Sequence, residues 1–270
     1  MQTLPPLQFN KIYLGDSFKL YEQIPAKTVD LILEDMPYNI TACDWDVKID
    51  LQLYWETRLR ILKPTGVVCL TASQPFTTDL INSNRKMFKY EWIWNKVNGS
   101  NFMNLKNRPF KTQEQILIFS STAKFIFNPI RTARTIESYR RVAKGEVRLK
   151  VNNQKKAHNH YNIKGDSSVS IVAGDGLKHP IDIITFPKSD SEFFDNNNHP
   201  TRKPVALFEY LIRTYTNEGD LVFDGFGGSG TTAVAAHKSK RNFIVIEKEK
   251  KYFDLATKRL SRERSQFTLL

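Results

Sequence analysis

The sequence predicts an α/β protein built on a doubly wound, mostly parallel sheet. Three observations point to this fold class. Short apolar runs alternate along the chain with segments of helical period. Residues 29–34 and 66–72 are almost continuously apolar, which is typical of parallel strands that are covered on both faces. Two of the predicted strands end in polar or glycine-rich turns, as ligand-binding strands of open α/β sheets do.

Seven strands are predicted from short apolar or alternating runs that turn residues bound. In chain order they cover residues 11–16, 29–34, 66–72, 90–96, 114–120, 220–224 and 242–247. Helices are predicted where apolar residues recur at helical spacing. They cover residues 51–62, which end before Pro64, then residues 203–216, a segment that opens on Thr231, and residues 250–260.

The formal net charge of +12 at pH 7 predicts a polyanionic partner, most often a nucleic acid. A generally basic composition is the alternative explanation. The distribution of charge favours the first interpretation, because residues 121–165 contain eleven lysines and arginines against two acids. A general bias would not concentrate most of the surplus in one segment.

Apolar periodicity weakens between residues 121 and 190, where basic and polar residues dominate. We therefore predict three parts: an α/β domain that begins in residues 1–120, an inserted basic region at 121–190, and the second part of the α/β domain at 191–270. No run of eighteen apolar residues exists, so no membrane span is expected. Cys43 and Cys69 form no CxxC pair, which indicates neither a metal site nor a disulfide framework.

The sequence DGFGGSGTT at residues 224–232 predicts a tight turn between a strand and a helix. Glycines let a ligand approach the backbone closely, and the helix N-terminus presents free N–H groups. The turn is not a Walker A loop, because no Gly-Lys-Ser/Thr follows. Glu247 ends the next strand, where an acid is placed to accept hydrogen bonds from ribose hydroxyls. We predict a ribose-containing ligand; the alternative is that Glu247 only caps the following helix.

Three motifs give the chain a family resemblance. DMPY at residues 35–38 resembles the catalytic motif of the DNA amino methyltransferases, and DGFGGSGTT resembles their S-adenosylmethionine motif. HPTRKP at residues 199–204 resembles the motif that precedes the latter. The order, catalytic motif first and cofactor motif last, resembles the β class of these enzymes. The resemblance implies a circularly permuted sheet of the class I methyltransferase type, in which residues 121–190 are the target-recognition insertion.

The resemblance also implies roles for individual residues. Catalysis is expected from Asp35, Pro37 and Tyr38. The implied S-adenosylmethionine site consists of Asp16, Asp35, His199, Thr201, Lys203, Asp224, Phe226, Gly228, Gly230, Thr231, Thr232 and Glu247. Asp16 is expected at the adenine, Glu247 at the ribose, and His199, Thr201 and Lys203 at the methionine end. DNA contacts are expected from Arg131, Arg134, Arg140, Arg141, Lys144, Lys155 and Lys156. Two positions depart from the family pattern, because Met36 and Gly225 each replace a proline and loosen the backbone.

These residue types suit methyl transfer to an exocyclic amine, whose lone pair is delocalised into the ring of the base. The Asp35 carboxylate and the Pro37 carbonyl can accept the two amino hydrogens, and the carboxylate stabilises the positive charge that develops during attack. A base within a duplex must be flipped out to reach such a site, and Tyr38 offers it a stacking surface. Taken singly, Asp35 also fits a helix N-cap and Tyr38 a core residue.

We therefore expect a site-specific adenine-N6 methyltransferase that acts on double-stranded DNA. Aspartate at the first motif position favours adenine over cytosine-N4, which is the first alternative, and a catalytically silent DNA-binding relative is the second. Cytosine-C5 chemistry needs a Pro-Cys nucleophile, and neither Cys43 nor Cys69 follows a proline. A homodimer and a cognate restriction endonuclease are compatible with this class. The expected location is the cytoplasm, at the nucleoid or in a phage-infected host.

Overall fold

The computed structural model describes residues 5–37, 49–100, 106–107, 109–133, 177–188 and 202–267. The strands are β1 (Lys11–Leu14), β2 (Val29–Glu34), β3 (Leu62–Ala72), β4 (Phe88–Ser100), β5 (Lys111–Phe119), β6 (Thr132–Ala133), β7 (Leu177–Lys178), β8 (Ile183–Thr185), β9 (Leu221–Asp224) and β10 (Asn242–Glu247). The helices are α1 (Ser17–Leu20), α2 (Leu51–Ile61), α3 (Phe76–Ser83), α4 (Val205–Tyr215), α5 (Thr231–Lys238) and α6 (Lys250–Phe267).

Within the described residues, eight strands form one sheet in the order β1-β10-β9-β2-β3-β5-β4-β8. The pairs from β1 to β3 are parallel, β5 is antiparallel to both β3 and β4, and β8 is parallel to β4. The chain passes from β2 to β3 in one direction and from β9 to β10 in the other. The strand order therefore reverses between β2 and β9, where open α/β sheets bind their ligands.

Helices cover both faces of this sheet, which confirms the predicted α/β class. Leu31 and Leu33 of β2 belong to one buried cluster with the apolar residues of α4 and α5. Ile32, between them, belongs to a second buried cluster with α2 and α3. Both faces of β2 are buried, so its sequence is continuously apolar rather than alternating. Among the described residues, no helix combines the length and the apolarity needed to cross a membrane.

Element limits differ from the prediction at several places. Strand β3 begins at Leu62 rather than Gly66, because Leu62 already pairs with Val29 before the register shifts and Leu31 meets Val67. Such a bulge accommodates Pro64, which has no N–H to donate. Helix α6 runs to Phe267, well past residue 260. Helices α1 and α3 and strands β6, β7 and β8 were not predicted.

The chain divides into two compact units, residues 1–128 with 181–270, and Pro129–Pro180. Both limits lie inside the predicted insertion at 121–190. Phe125 and Phe127 precede the second unit and pack on Tyr215 of α4, while β8 follows it and pairs with β4. In the second unit the structure describes one short antiparallel pair, β6 with β7.

A buried ion pair joins α2 to the end of β2. Arg58 Nε lies 3.0 Å from Glu34 Oε1, and neither side chain is exposed. Tyr54 donates its hydroxyl to the other Glu34 oxygen at 2.6 Å, and Arg58 Nη2 donates to Ser17 Oγ at 2.9 Å. Burial and the neighbouring Glu34 carboxylate raise the pKa of Tyr54, so the phenol stays a donor. Aromatic rings surround the guanidinium with centroids 5.0 to 5.5 Å away: Phe18, Tyr54, Phe223 and Phe226.

Replacing Arg58 with methionine should strongly destabilise the fold, because it leaves the Glu34 carboxylate buried without its cation. We expect the free energy of unfolding in urea to fall by about 3–5 kcal/mol. The control is Lys63→Met, which breaks a 2.6 Å pair with Asp30 in which the lysine side chain is 38% exposed. That pair should be worth about 1 kcal/mol or less. Equal losses in the two variants would contradict a structural role for the buried pair.

Candidate active site

The two motifs singled out in the sequence lie side by side in the structure. Strands β2 and β9 are parallel neighbours, with Leu31 opposite Val222 and Ile32 opposite Phe223. Asp35 directly follows β2, and the glycine turn directly follows β9. Both turns therefore leave the carboxyl ends of adjacent strands at the point where the strand order reverses.

The Asp35 carboxylate is held at both oxygens. Lys203 Nζ donates to Oδ2 at 2.6 Å, and the Thr71 hydroxyl donates to Oδ1. Burial alone would lower the pKa of Lys203, but the carboxylates of Asp35 and Glu114 outweigh it and raise that pKa. The Asp35 side chain is still 24% exposed, so solvent reaches part of it.

Met36 and Gly225, the two departures from the family pattern, are both held by specific contacts. The Met36 side chain is 2% exposed and belongs to the buried cluster around α2. Gly225 N–H donates to Glu34 Oε1 at 2.9 Å, a bond that proline could not make. A Cβ atom at position 225 would lie 2.3 Å from Arg58 Nη2. The expected loosening of the backbone at these positions is therefore offset by core packing and by the Glu34 bond.

The glycine turn is bound to the end of β10. Gly228 N–H donates to Glu247 Oε2 at 2.6 Å, and the other carboxylate oxygen accepts from the backbone N–H of Glu249 at 2.7 Å. Burial raises the pKa of Glu247. Gly230, which precedes α5, has φ of 79°, a left-handed conformation that glycine adopts without strain. The turn and the predicted ribose acid thus form one hydrogen-bonded unit.

Asp224 lies beneath this turn in a fully protein environment. Its Oδ1 accepts from the backbone N–H of Phe226 at 2.9 Å, and its Oδ2 accepts from the Thr232 hydroxyl. Burial and the nearby Glu34 carboxylate raise the pKa of Asp224 to about 8. Asp224 therefore supports the turn from below, and its raised pKa favours the neutral form of the carboxyl.

The remaining described residues of the predicted cofactor site cluster at the same edge. Asp16 follows β1, whose Leu14 pairs with Glu247, and its carboxylate accepts from Phe18 N–H at 2.9 Å as an N-cap. Phe226 is half-buried against Arg58. Thr231 is buried and donates to the backbone carbonyl of Lys203 at 3.2 Å.

Several predicted residues lie outside the described part of the chain. They are Tyr38, His199, Thr201, Arg134, Arg140, Arg141, Lys144, Lys155 and Lys156. Arg131 is described and exposed, immediately before β6 in the second unit. Pro37 is described and half-buried after Met36. The roles assigned to all of these residues stay predictions.

Sequence reasoning missed four residues that shape the site. The sequence positions of Glu34 and Arg58 indicated that both are buried, but this was not used. Glu34 is an acid at the end of a buried strand. Arg58 lies one turn from Tyr54 on the apolar side of α2. Thr71 on β3 and Glu114 on β5 gave none, because each becomes part of the site only through the pairing of distant strands.

The architecture and motifs agree with known proteins. The chain is 31% identical to the DNA adenine methyltransferase YhdJ of Escherichia coli (strain K12), over 91% of this chain and 81% of the relative. It is 30% identical to the type II methyltransferase M1.MboII of Moraxella bovis, over 93% of this chain and 96% of the relative.

Solved structures agree as well. A complex of M1.HpyAVI with S-adenosylmethionine (SAM) matches with a TM-score of 0.60 and 25% identity, over 93% of this chain and 98% of that one. The cytosine-N4-specific PvuII DNA methyltransferase matches in fold with a TM-score of 0.59 at 17% identity, over 97% and 93% of the two chains. A model of the DNA methylase family of N6 and N4 methyltransferases matches residues 29–258. The chain therefore belongs to this family of DNA amino methyltransferases.

Proposed function

We propose that this DNA methyltransferase modifies the N6 amino group of an adenine flipped out of duplex DNA. The observation that carries the proposal is the Asp35 carboxylate, held between Lys203 and Thr71 beside the glycine turn. Such a group is a preorganised acceptor at the point where positive charge develops on the attacking amine. Aspartate at this motif position favours adenine, and the adenine methyltransferase YhdJ is a relative.

In this mechanism the chain's own groups localise the amine lone pair. Asp35 accepts one amino hydrogen, and the backbone carbonyl of Pro37 accepts the other. The lone pair then points away from both acceptors, toward the glycine turn. Tyr38 stacks on the flipped base. The amine proton becomes acidic only after attack, so no strong base is required beforehand.

The glycine turn and its acids are proposed to hold the cofactor. Glu247 accepts the ribose hydroxyls, Asp16 meets the adenine, and Phe226 with Gly228 lines the pocket wall. S-adenosylmethionine supplies an activated methyl group when bound. The acids suit such a ligand, because Glu247 and Asp16 stand at the ends of neighbouring strands and Glu247 already orders the turn through Gly228.

The basic segment is proposed to bind DNA. Lys124 and Arg131 are its described bases. The eleven bases against two acids across residues 121–165 supply positive charge that attracts a phosphate backbone. Because relatives of this chain are type II methyltransferases, a cognate restriction endonuclease is a proposed partner. A homodimer is also compatible with this class.

Cytosine-N4 methylation is the second candidate, since the PvuII enzyme of the same fold is specific for that atom. Mass spectrometry of nucleosides from mixed-sequence duplex DNA, after incubation with labelled S-adenosylmethionine, separates the two. We expect N6-methyladenine. N4-methylcytosine would reverse the assignment of the base, and a complete lack of transfer would favour a silent DNA-binding relative.

Asp35→Asn should remove most of the activity because the amide carries no charge to stabilise the developing cation. We expect the single-turnover rate to fall by about 100-fold to 1,000-fold, a far larger change than any in the dissociation constant of the cofactor. The matched control is Asp30→Asn, at the opposite end of β2. If both variants lose activity equally, Asp35 has no special role in the reaction.

Asp224 gives the stability of the folded protein a distinct pH dependence. Its pKa is higher in the folded protein than in the unfolded chain, so the folded state holds an extra proton between about pH 4 and about pH 8. The stability that this group contributes therefore falls as pH rises through that window. In urea titrations, Asp224→Asn should lose less stability than wild type between about pH 5 and about pH 8. Asp220→Asn is the control and should follow wild type; identical slopes for all three proteins would refute the assignment.

A further inference from the structure

Asp35 stands at one end of a row of four alternating charges. Its Oδ2 is 2.6 Å from Lys203 Nζ, which is 3.5 Å from Glu114 Oε2. The other Glu114 oxygen, Oε1, is 3.1 Å from Lys96 Nζ. The row begins in the loop after β2 and crosses to β5 and β4, the antiparallel part of the sheet.

The other three members of this row are largely removed from water. The side chains of Lys96, Lys203 and Glu114 are 4%, 8% and 18% exposed. Charges in such surroundings interact strongly, and the loss of one leaves its neighbour uncompensated. Burial opposes ionisation of Glu114, but the ammonium groups of Lys203 and Lys96 lower its pKa below the usual value. All the contacts therefore act between charged groups.

We propose that Glu114 is a positioning residue for methyl transfer, which anchors Lys203 so that Lys203 can hold the Asp35 carboxylate in its accepting orientation. This inference rests on the proposed role of Asp35. Lys203 itself was expected at the methionine end of the cofactor. Its contact with Asp35 gives Lys203 a second proposed role, which is to orient the group that accepts the target amine.

The geometry explains why an anchor is needed. A carboxylate accepts at about four lone-pair positions, and the bonds from Thr71 and Lys203 occupy one on each oxygen. An acceptor can bind an incoming amine in a productive direction only while the carboxylate keeps its rotation. Thr71 is held by strand β3, but a lysine is a point charge on a flexible stem. Glu114 supplies the second contact that limits where the Lys203 ammonium can go.

The test compares Glu114→Gln with Glu114→Asp and with a matched control. Glu209→Gln is the control, because Glu209 is 25% exposed and also pairs with a lysine, Lys238, at 3.8 Å. In single-turnover methyl transfer to duplex DNA, Glu114→Gln should be slower than wild type by about 10-fold to 100-fold. The dissociation constant of S-adenosylmethionine should change less than the rate, because Glu114 is not among the residues expected to contact the cofactor. Glu114→Asp keeps the charge and should recover part of the rate, and Glu209→Gln should match wild type.

The pH profile provides a readout that a general loss of stability would not move. The Lys203 ammonium faces the carboxylates of Asp35 and Glu114, and the Lys188 ammonium lies near enough to interact with it. The ammonium groups of Lys96 and Lys111 act on Glu114. Without the Glu114 charge, Lys203 loses one of the two carboxylates that raise its pKa, so that pKa falls. The rate of Glu114→Gln should therefore decline on the alkaline side at lower pH than wild type, because a neutral Lys203 no longer holds Asp35.

The outcomes separate this inference from the proposed function. A wild-type protein that transfers no methyl group to DNA overturns the proposed function. An active wild type with Glu114→Gln within twofold of its rate and with an unshifted alkaline limb overturns the role of Glu114. If Glu114→Gln does not fold, Glu114→Asp decides: a reduced rate supports the positioning role, whereas an unchanged rate and pH profile overturns it.

Discussion

The arrangement of the candidate active site depends on the burial of the Glu34 carboxylate against the Arg58 guanidinium. Two such charges leave water at considerable cost, and here the cost is offset by the direct ion pair, the Tyr54 hydroxyl and the surrounding aromatic rings. Glu34 directly precedes Asp35 and accepts the N–H of Gly225, which directly follows Asp224. One carboxylate thereby sets the start of both functional turns.

Two other acids of the cleft show how environment separates residues of the same type. Asp35 is paired with a lysine and partly exposed to solvent, so it is suited to accept hydrogen bonds and balance charge. Asp224 is buried near a second carboxylate, and its raised pKa favours the neutral form. The first is the proposed acceptor for the target amine, and the second supports the glycine turn. Pairs of carboxyl groups with divergent environments are a common way to divide roles within one site.

Much of the sheet was predictable because its central strands are buried on both faces. The predicted limits of the strands at 29–34 and 242–247 are those of β2 and β10. The adjacency of β2 and β9 is a finding of the structure, and it brings the two turns together where the strand order reverses. Strand β8 has three residues, two of them exposed, so its sequence has no apolar pattern long enough to predict a strand.

Residues of the candidate site could be named from the sequence only where they belong to a local motif. The DMPY and glycine-turn residues are contiguous in sequence, and their types indicate the chemistry. Thr71, Glu114 and Arg58 come from three other elements, and each reaches the site through tertiary packing. A charged residue at an apolar position of a buried element, such as Arg58 on α2, indicates from the sequence alone that it has a buried partner.

The bond from Gly225 to Glu34 has an evolutionary consequence. A relative with proline at position 225 has no N–H for Glu34 and brings a ring toward the space that Arg58 fills. We expect an exchange of glycine for proline there to be accompanied by changes at the other two positions, because it removes the donor to Glu34. Positions 34, 58 and 225 should therefore be inherited as a set, with intermediates that change one at a time removed by selection for stability.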